Sequence, residues 1–386
     1  MNKTIFLATG EVSGDMHAAA LAKALYAQNP DLTLVGVGGH RMRAAGVRLV
    51  ANISAMSTIG FLEPLRFLPK LLMILYVLNV WIKRHRPDVV VLIDNQGFNQ
   101  LLLKTAVKLG IPTVYYIAPQ EWQWGTEKGG RALAAVTSKI LAIFKPEAEF
   151  YVRVGANVTY VGHPLLDTSV PTLTRAEFCN TYPLDPNRQI LAIFPGSRSQ
   201  ELRYTAPTLL QAAHQIITAR PDIQLVISIA APHCEEAIRK LATQSGLQNP
   251  LFVHENVNLI NAGDLSIVTS GTITLEHAIM GKPCLVGYRF APLSYWFLTT
   301  VFAKKVARIK YMSLPNLLAD QKILPEFLQS ALTAERLTEN ALDLLSLHSP
   351  RYATIKAQLA TVKAHLGSPG VLARAAQEIL NISASV

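Results

Sequence analysis

The chain has 386 residues, half of which are apolar, with a mean hydropathy of +0.25 and a formal net charge of +10. A chain of this length exceeds one typical hydrophobic core, so we expect two domains. The positive charge favours anionic ligands, such as nucleotide diphosphates, acidic lipid headgroups or nucleic acid, without choosing among them. The cysteines are scattered without a pairing or metal-binding spacing, which excludes a disulfide-stapled fold and indicates a reduced compartment: Cys179, Cys234 and Cys284.

Two apolar stretches bear on membrane insertion. The first residues, MNKTIFLATG, carry too short an apolar run for a signal peptide and predict a first strand instead. The run at residues 71–82 is also too short, because a membrane-spanning helix needs about 20 apolar residues. We therefore expect a cytoplasmic protein without a membrane-spanning helix.

Apolar, strand-like runs alternate with helical segments along both halves of the chain. The predicted strands lie at residues 4–9, 32–36, 88–93, 112–117 and 139–144, and then at 189–194, 223–229, 251–255, 264–269 and 283–287. Such alternation is typical of a parallel sheet covered by helices. The sequence therefore predicts an α/β protein with two Rossmann-like parallel-sheet domains that face a cleft.

An irregular, proline-containing segment at residues 167–186 separates the two series of strands, and we interpret it as the interdomain linker. This places the domains at 1–168 and 169–349, and the helix predicted at 350–386 is expected to pack on the first domain. His163 stands at the start of the linker and is a candidate phosphate contact. A hydrogen-bonded structural histidine fits that position equally well.

The first predicted strand ends in a turn rich in glycine and small polar residues, GEVSGD at residues 10–15. Its spacing is not the G-x-G-x-x-G of dinucleotide-binding proteins, and no acidic residue follows the second strand convincingly. A turn that faces a sugar or a phosphate fits as well, and so does a tight connection with Asp15 near the helix start. The candidate substrate-binding residues here are Gly10, Glu11, Ser13, Gly14 and Asp15.

Polar side chains also follow two later strands of the first domain. Asp94 comes directly after the strand at 88–93, and residues at the carboxyl end of a strand line the ligand crevice of an open α/β sheet. Asp94 is therefore a candidate general base, with a helix cap as the alternative. The loop at 118–125 follows the next strand and carries two indoles and a carboxylate, and Gln120 and Trp122 are its candidate substrate contacts.

Two turns of the second domain suit an anion. Arg198 lies in a Gly/Ser turn ahead of a helix, where a permanent cation and free backbone N–H groups suit a pyrophosphate, unless Arg198 is a salt-bridged surface residue. Ser270, Gly271 and Thr272 form a second such turn. Glu276 lies about one helical turn further on, suited to ligand hydroxyls. Ordinary helix capping explains the same Ser/Thr pattern.

Two segments combine apolar, aromatic and basic residues. Residues 59–86 predict a short, nearly all-apolar helix with a basic border, and residues 290–310 repeat the pattern. A buried helix is the alternative for the first segment and a dimer surface for the second, but both suit an anionic membrane interface. We expect Leu72, Leu75 and Trp81 to face lipid.

The turns and Asp94 together match group transfer from an activated nucleotide. Such a transfer needs a base for the acceptor hydroxyl and a partner for the negative charge of the departing diphosphate. No D-x-D motif occurs in the sequence, so we expect no metal and no cofactor, with Arg198 and residues 270–272 in the metal's place. A basic protein that binds RNA or lipid without chemistry explains the charge, but not the repeated Gly/Ser turns after strand ends.

Short motifs occur in order along nearly the whole chain. They are GEVSGD at 10–15, GVGGHRM at 36–42, ID at 93–94, GHP at 162–164, PGSR at 195–198, SGT at 270–272, VGYR at 286–289 and SLPNL at 313–317. Together they make the chain resemble the lipid-A-disaccharide synthase family. This ordered set is far more specific than any one of its motifs.

The resemblance implies a GT-B type inverting glycosyltransferase that joins UDP-2,3-diacylglucosamine to 2,3-diacylglucosamine 1-phosphate and releases UDP. By position, it implies that Asp94 is the base, that Arg198 and Asn316 contact the diphosphate and that Glu276 contacts the ribose. It places the acceptor in 1–168 and the UDP-sugar in 169–349. Some members carry a second aspartate three residues after the first, where this chain has Gly97, so no role of that carboxylate applies here.

The resemblance also implies a peripheral enzyme on the inner face of the cytoplasmic membrane, active in lipid A biosynthesis and without a nucleic-acid partner. Some members form homodimers that exchange the C-terminal part. Another UDP-hexosamine enzyme of the same fold, either a 2-epimerase or a lipid-linked hexosaminyltransferase, is the alternative. An epimerase needs no lipid acceptor, so the membrane-like segments favour the transferase.

Overall fold

The computed structural model describes residues 3–10, 12–52, 64–123, 125–301, 310–346 and 349–384, and at residues 12, 13, 64–68, 96 and 384 it describes the backbone alone. These residues form two compact units. The first unit contains the described residues up to Thr168 together with residues 365–384, and the second contains those of 169–364. Each unit is built on its own parallel sheet.

The sheet of the first unit consists of parallel strands. They are β1 Thr4–Thr9, β2 Thr33–Gly38, β3 Arg48–Asn52, β4 Val89–Ile93, β5 Thr113–Tyr116, β6 Lys139–Ala142 and β7 Val158–Tyr160. Their order across the described sheet is β3-β2-β1-β4-β5-β6-β7. The central strands β1, β4 and β5 are almost wholly buried, as apolar strands covered on both faces are. The order reverses between β1 and β4, where ligands of doubly wound sheets bind.

Helices cover both faces of this sheet, as the connections between parallel strands require. They are α1 Val12–Gln28, α2 His40–Ala44, α3 Pro64–His85, α4 Gln96–Lys108, α5 Glu127–Ala134, α6 Lys145–Arg153 and α7 Leu165–Thr168. All of them lie in the first unit.

The sheet of the second unit is also parallel. Its strands are β8 Ile190–Phe194, β9 Gln224–Ser228, β10 Leu251–Val253, β11 Leu265–Thr269, β12 Cys284–Tyr288 and β13 Glu326–Leu328. Across the described sheet the order is β10-β9-β8-β11-β12-β13. The order reverses between β8 and β11, so this sheet has its own place for a ligand at the carboxyl ends of these two strands.

The second unit carries helices before, between and after its strands. They are α8 Arg175–Thr181, α9 Ser199–Tyr204, α10 Ala206–Ala219, α11 Glu235–Gln244, α12 Asn256–Ala262, α13 Thr272–Met280, α14 Pro292–Val301, α15 Leu314–Ala319, α16 Ala334–Leu345 and α17 Pro350–His365. Single turns of 3₁₀-helix lie at Pro232–Cys234 and Gln329–Ala331.

The last helix, α18 Val371–Ala384, belongs to the first unit. Asp167 fixes its start, because the Asp167 carboxylate accepts hydrogen bonds from the backbone N–H of Gly370 at 2.6 Å and of Leu372 at 2.8 Å. Gln28 Nε2 at the end of α1 donates to the carbonyl of Ala373 at 2.7 Å. The chain therefore returns to the first unit with α18, whereas α17, within the predicted helix 350–386, lies in the second unit.

The predicted fold class, an α/β protein with two parallel sheets, is confirmed. The sequence patterns missed β3, β7 and β13, which are short edge strands with partly exposed residues and no continuous apolar run. The segment at 167–186 is also more regular than predicted. It contains α8, where Thr174 Oγ1 accepts from the Glu177 N–H and the Glu177 carboxylate accepts from the Thr174 N–H. This reciprocal cap stabilises a short helix that apolar periodicity does not reveal.

Helix α3 has an exposed face of apolar side chains. Met73 and Tyr76 are 69% and 71% exposed, and the other exposed apolar residues of this helix are Leu72, Val77 and Val80. Their spacing of three and four residues puts them on one side of the helix, opposite the buried Leu75 and Leu78. In the part of the chain that the structure describes, no helix is long and apolar enough to cross a membrane.

The expectation about three residues of this helix needs correction. Of these residues, only Leu72 is exposed, because Leu75 is 5% exposed and Trp81 is half-buried. The Trp81 ring packs on Phe6, with ring centroids 5.3 Å apart, and stacks on His85 at 4.4 Å. Leu75 and Trp81 are therefore part of the core. Residues 59–63 of this predicted segment, and 302–309 of the second one, lie outside the described residues.

Candidate active site

Two turns of the first unit meet at the carboxyl ends of neighbouring strands. Thr9 pairs with Ile93, so the turn after β1 lies beside the turn after β4. A Cβ atom on Gly10 would meet Asn95 Nδ2 at 2.6 Å, and a Cβ atom on Gly14 would meet Thr9 Oγ1 at 1.8 Å. A larger residue at either position would therefore have to displace the side chain of Asn95 or of Thr9.

Asp94 follows β4 in a left-handed backbone conformation, with φ at 55°. Among residues other than glycine, short polar side chains tolerate this conformation best. The Asp94 carbonyl accepts hydrogen bonds from Asn99 Nδ2 at 2.7 Å and from the Tyr115 hydroxyl at 3.2 Å. The cap of α4 is Asn95, whose Oδ1 accepts from the Phe98 N–H at 3.1 Å. The N-cap of α4 is thus Asn95 rather than Asp94, and the half-buried Asp94 side chain lies at the carboxyl end of β4; its role as a base stays a prediction.

Asp15 has a structural role. Its carboxylate is 3% exposed and accepts hydrogen bonds from the backbone N–H of Gly39 at 2.7 Å, Arg41 at 3.1 Å and Met42 at 3.1 Å. These bonds satisfy the free N–H groups at the start of α2. We therefore reassign Asp15 from substrate contact to helix cap.

The side chains of two predicted substrate contacts, Glu11 and Ser13, are not described in the structure. Glu11 and the second indole of the 118–125 loop, Trp124, lie outside the described residues, and Ser13 is described by its backbone alone within α1. The substrate contacts expected of Glu11 and Ser13 stay predictions.

The loop after β5 carries the start of a row of aromatic rings. The half-buried Trp122 ring lies 5.9 Å from the Phe144 ring, and Phe144 lies 5.1 Å from the His163 ring, measured between centroids. The Tyr151 hydroxyl donates to the carbonyl of Pro119 at 2.8 Å and holds the base of the loop. Gln120 lies in this loop with an exposed side chain. Trp122 therefore packs within the aromatic row, and it lies in the loop after β5, where a substrate contact was predicted.

His163 and His17 form a buried pair of imidazoles. They are 4% and 6% exposed, and their rings meet edge to face with centroids 6.4 Å apart. Burial lowers the pKa of His17 to about 4, against a smaller raising effect of Asp94. Burial and the neighbouring His17 hold the pKa of His163 well below its usual range. Both rings are therefore uncharged at neutral pH, and His163 Nδ1 accepts from the Leu165 N–H at 3.2 Å, which agrees with the structural alternative; the phosphate contact of His163 stays a prediction.

Glu147 is a buried carboxyl group that the sequence patterns missed. Its Oε2 accepts hydrogen bonds from the backbone N–H of Ile143 at 2.8 Å and of Phe144 at 3.1 Å, just after β6. It is 1% exposed, and burial raises its pKa to about 7, although these backbone bonds and one from Ala118 act in the opposite direction. Glu147 thus ties together the chain segments that follow β5 and β6. Its position three residues after Phe144, with proline at 146, is the capping signal that was overlooked.

In the second unit, Glu201 shapes the turn that carries Arg198. Glu201 is 5% exposed, and its Oε2 accepts from the backbone N–H of Ser197 at 2.9 Å and of Arg198 at 3.2 Å. Its Oε1 lies 3.3 Å from Arg198 Nη1. Gly196 has φ at 109°, and a Cβ atom there would meet Glu201 Oε2 at 2.6 Å. The Arg198 guanidinium, with its side chain 38% exposed, is therefore held at the start of α9 by a residue that sequence reasoning missed.

The Ser270 turn lies beside the Arg198 turn. β8 and β11 are paired, and Thr269 Oγ1 donates to the carbonyl of Pro195 at 2.9 Å. Ser270 is 6% exposed, while Gly271 is exposed and a Cβ atom there would meet no atom within 4 Å. Thr272 begins α13 and is half-buried, as is Glu276 one turn further along. Arg198 and the predicted phosphate turn thus lie together at the carboxyl ends of β8 and β11.

Asn316 is buried, and both the oxygen and the nitrogen of its side-chain amide have hydrogen-bond partners. It is 0% exposed, and its Oδ1 accepts from the backbone N–H of Ile323 at 2.9 Å and of Leu324 at 2.7 Å. Its Nδ2 donates to the Leu324 carbonyl and to Glu326 Oε1, both at 2.8 Å. A buried amide with these bonds has no donor left for a diphosphate. We therefore reassign Asn316 from diphosphate contact to loop support.

Glu326 of β13 holds the same loop. Its carboxylate accepts from the backbone N–H of Met312 at 2.9 Å and of Ser313 at 2.8 Å, as well as from the Ser313 hydroxyl. The Met312 carbonyl in turn accepts from Ser270 Oγ at 3.4 Å. Met312, the residue before the SLPNL motif, therefore links this loop to the Ser270 turn.

Two Rossmann-like units with glycine-containing turns at the carboxyl ends of their strands define a GT-B type enzyme, a class that contains UDP-sugar transferases and epimerases. A family model described as Lipid-A-disaccharide synthetase matches residues 5–375. The chain belongs to this family and is accordingly a glycosyltransferase.

Individual relatives agree with this membership. The chain is 36% identical to the lipid-A-disaccharide synthase of Gloeothece citriformis, over 98% of this chain and 99% of the relative. It is 34% identical to that of Geobacter sulfurreducens, over 98% of this chain and 97% of the relative. Among solved structures it is similar to the UDP-GlcNAc 2-epimerase from Neisseria meningitidis bound to UDP-GlcNAc, with a TM-score of 0.64 and 13% identity over 100% of both chains. That likeness shows the shared fold alone, and the family match favours the transferase over the epimerase.

Proposed function

We propose that the protein joins UDP-2,3-diacylglucosamine to 2,3-diacylglucosamine 1-phosphate, giving lipid A disaccharide 1-phosphate and UDP. The observation that carries this proposal is the family match over residues 5–375. The reaction is a single displacement at the anomeric carbon. An acceptor hydroxyl oxygen attacks that carbon and loses its proton, and UDP leaves with the electron pair of the broken bond.

The second unit is proposed to bind the UDP-sugar. Arg198 and the Ser270–Thr272 turn supply a cation and backbone N–H groups at one sheet edge, which suits the charge of the diphosphate. Their geometry is fixed by Glu201 and Glu326, so little reorganisation is needed when charge builds up on the leaving group. Glu276 is proposed to accept hydrogen bonds from the ribose hydroxyls.

The first unit is proposed to bind the acceptor, with Asp94 as the base that takes its proton. Asp94 lies at the carboxyl end of β4, where the strand order reverses. Gly10 lies on the turn after β1, Gly14 in the first turn of α1, and Gln120 and Trp122 in the loop after β5.

The exposed face of α3 is proposed to rest on the membrane that supplies the acylated substrates. The apolar side chains lie between the exposed Lys70 at one end and the exposed Lys83 and Arg84 at the other. An apolar face with a cationic border suits an acidic lipid surface, where long basic side chains reach the headgroups. The second unit contains the other candidate, α14, on which Leu293 and Trp296 are 70% and 63% exposed. The enzyme is thus proposed to be peripheral on the inner face of the cytoplasmic membrane.

An assay with the two acylated glucosamines and the purified protein tests this function. We expect equal amounts of UDP and of a disaccharide 1-phosphate, identified by mass spectrometry, and no product when either substrate is left out. UDP release without the acylated acceptor, or epimerisation of a UDP-hexosamine at carbon 2, would contradict the proposal.

A further inference from the structure

The packing of α1 places His17 beside the turn that carries Asp94. A Cβ atom on Gly14 would lie 3.6 Å from the carbonyl oxygen of Ile93, the residue before Asp94. His17 is three residues after Gly14 and therefore shares its face of α1. The electrostatic influence of Asp94 on His17 agrees with this placement.

The His17 imidazole is a buried polar group with an unused atom. It is 6% exposed, and its Nδ1 meets no hydrogen-bond partner among the residues that the structure describes. Leaving such an atom without a partner costs about 1–3 kcal/mol, so His17 Nδ1 is expected to find one in a ligand, a reacting group or a water molecule. Neither the helix cap formed by Asp15 nor the reaction scheme above gives His17 a role.

The other side of His17 is closed by the aromatic row. His163 meets it edge to face, and the Phe144 and Trp122 rings continue the row. His163 Nδ1 accepts a hydrogen bond from the Leu165 N–H at 3.2 Å, so a neutral His163 carries its proton on Nε2. Among the described residues, the titratable groups found beside His17 are Asp94 after β4 and the uncharged His163 after β7.

We propose that His17 is a positioning residue for Asp94, whose buried, neutral imidazole orients the carboxylate toward the acceptor hydroxyl. A neutral imidazole can donate a hydrogen bond to the carboxylate without forming an ion pair, which would weaken the carboxylate as a base. The proposal rests on the proposed function, because it assumes that Asp94 is the base of that reaction.

A double-mutant cycle on the full-length protein tests the pairing. His17→Gln is expected to lower kcat about tenfold or more, with the KM for the UDP-sugar within about twofold of the wild-type value. In an Asp94→Asn background, the same change is expected to lower kcat by less than about twofold, because a residue that acts through Asp94 has no further effect once the carboxylate is lost. Independent, multiplying losses in the two backgrounds would overturn the proposal, and so would a loss confined to KM.

A titration without substrate gives a second readout, which does not depend on the folding of a His17 variant. With a pKa of about 4, the His17 ring of the wild-type protein is protonated to about one part in ten at pH 5 in histidine-labelled NMR spectra. Asp94→Asn is expected to reduce this fraction, because the charge of Asp94 raises the pKa of His17. His277 of the second unit is a matched internal control, since burial lowers its pKa to about 4 as well and its signal is expected to stay unchanged.

The two readouts separate the pairing from the reaction assigned to it. An unchanged His17 signal in Asp94→Asn would overturn the pairing even in an active enzyme. If the His17 signal responds but the wild-type protein forms no disaccharide, the pair is retained and the role in disaccharide synthesis is withdrawn.

Discussion

The two strand-end sites use their polar groups in opposite ways. Around Arg198 in the second unit, Glu201 and Glu326 bind the backbone N–H groups of the turns, and Asn316 is saturated. At the corresponding edge of the first unit, buried polar atoms meet no partner in the described chain: Thr9 Oγ1, His17 Nδ1, Tyr116 Oη and Glu147 Oε1. The second unit thus places a cation in turns that carboxylates hold, whereas the first places the Asp94 carboxylate near buried polar atoms without a partner in the described chain.

This difference matches the two halves of a glycosyl transfer. Stabilising a departing diphosphate requires donors and charge that are already in place, since reorganisation during the reaction raises the barrier. Taking a proton from a sugar hydroxyl requires a base whose strength is preserved, so neutral neighbours such as His17 and His163 suit it better than cations. The contrast predicts that substitutions at the strand ends of the first unit change mainly kcat. Substitutions at the strand ends of the second unit are predicted to change nucleotide binding.

The strongest way to break this contrast is Asp94→Asn. Asparagine tolerates the left-handed backbone at this position, so it removes the charge with less strain than alanine would. We expect kcat to fall by about 10²- to 10⁴-fold, the usual contribution of a general base, with the affinity for UDP unchanged by calorimetry.

The matched control is Asp88→Asn, at the opposite end of the same strand. Asp88 Oδ2 accepts a hydrogen bond from the Thr4 N–H at 2.7 Å, which is a structural contact. We expect this variant to keep the wild-type kcat and to lose some thermal stability. Near-normal turnover of Asp94→Asn would eliminate Asp94 as the base.

The next largest effect concerns membrane binding by the exposed face of α3. Replacing Leu72, Met73 and Tyr76 by serine removes exposed apolar surface without opening the core. Burial of one such side chain is worth up to about 1.5–3 kcal/mol, so partial insertion of three predicts a fall of about 10- to 100-fold in binding to acidic vesicles. Vesicle sedimentation measures this binding, and circular dichroism checks the fold.

The same experiment on α14 sharpens the comparison between the units. Leu293 and Trp296 are as exposed as the α3 residues, but lie in the second unit. We expect their replacement by serine to reduce vesicle binding less than the α3 replacement does. Equal or larger losses from α14 would place the lipid surface on the second unit.

A smaller effect is expected at the proposed UDP-sugar site of the second unit. Arg198→Gln removes a cation whose side chain is 38% exposed, so we expect kcat/KM for the UDP-sugar to fall about tenfold, at the lower end for a hydrogen bond to a charged group. Arg203→Gln is the control, because Arg203 is an exposed arginine of the same helix, α9, and stacks on Tyr204. Similar losses in both variants would indicate that the net positive charge matters rather than the Arg198 site.

Local sequence patterns were enough to predict the fold class and the residues that follow the ends of the central strands. Both sheets are made of buried apolar runs, so their central strands were predictable from the sequence, and parallel connections fix which ends carry ligands. The edge strand β13 was not predictable, because three residues of mixed exposure carry no periodic signal. Its Glu326 nevertheless holds the SLPNL motif.

Within the sites, the sequence identified polar residues but not what each one bonds to. Asp15 and Asn316 have the residue types of ligand contacts, yet their partners are backbone groups outside their own helical turn, at Gly39 and Ile323 among others. His17 was missed for the converse reason, since it lies in a helix where only tertiary packing reveals its burial, whereas Glu147 has a capping position that the sequence does show. Hydrogen-bond partners depend on the fold, which residue spacing alone does not specify.

The last prediction concerns stability rather than activity, namely the pH dependence of the free energy of unfolding at Glu147. Its pKa is about 7 in the folded protein and about 4.5 when unfolded, so between these pH values the folded state binds more protons than the unfolded state. The free energy of unfolding therefore falls as the pH rises from about 4.5 to about 7, and the decrease stops above that range. With about 1.4 kcal/mol per pKa unit, the total decrease is at most on the order of 3 kcal/mol.

Glu147→Gln is expected to remove this slope, because glutamine does not ionise and its side-chain oxygen can still accept from the Phe144 or Ile143 N–H. Urea unfolding at several pH values measures the effect, and Glu149→Gln is the control, since Glu149 is an exposed carboxylate of the same helix. If the wild-type protein and Glu147→Gln lose stability in parallel between pH 4.5 and 7, the slope arises elsewhere. Loss of the slope in Glu147→Gln alone would show that the Glu147 carboxyl group, which ties the segments after β5 and β6 together, is uncharged in the folded protein over this pH range.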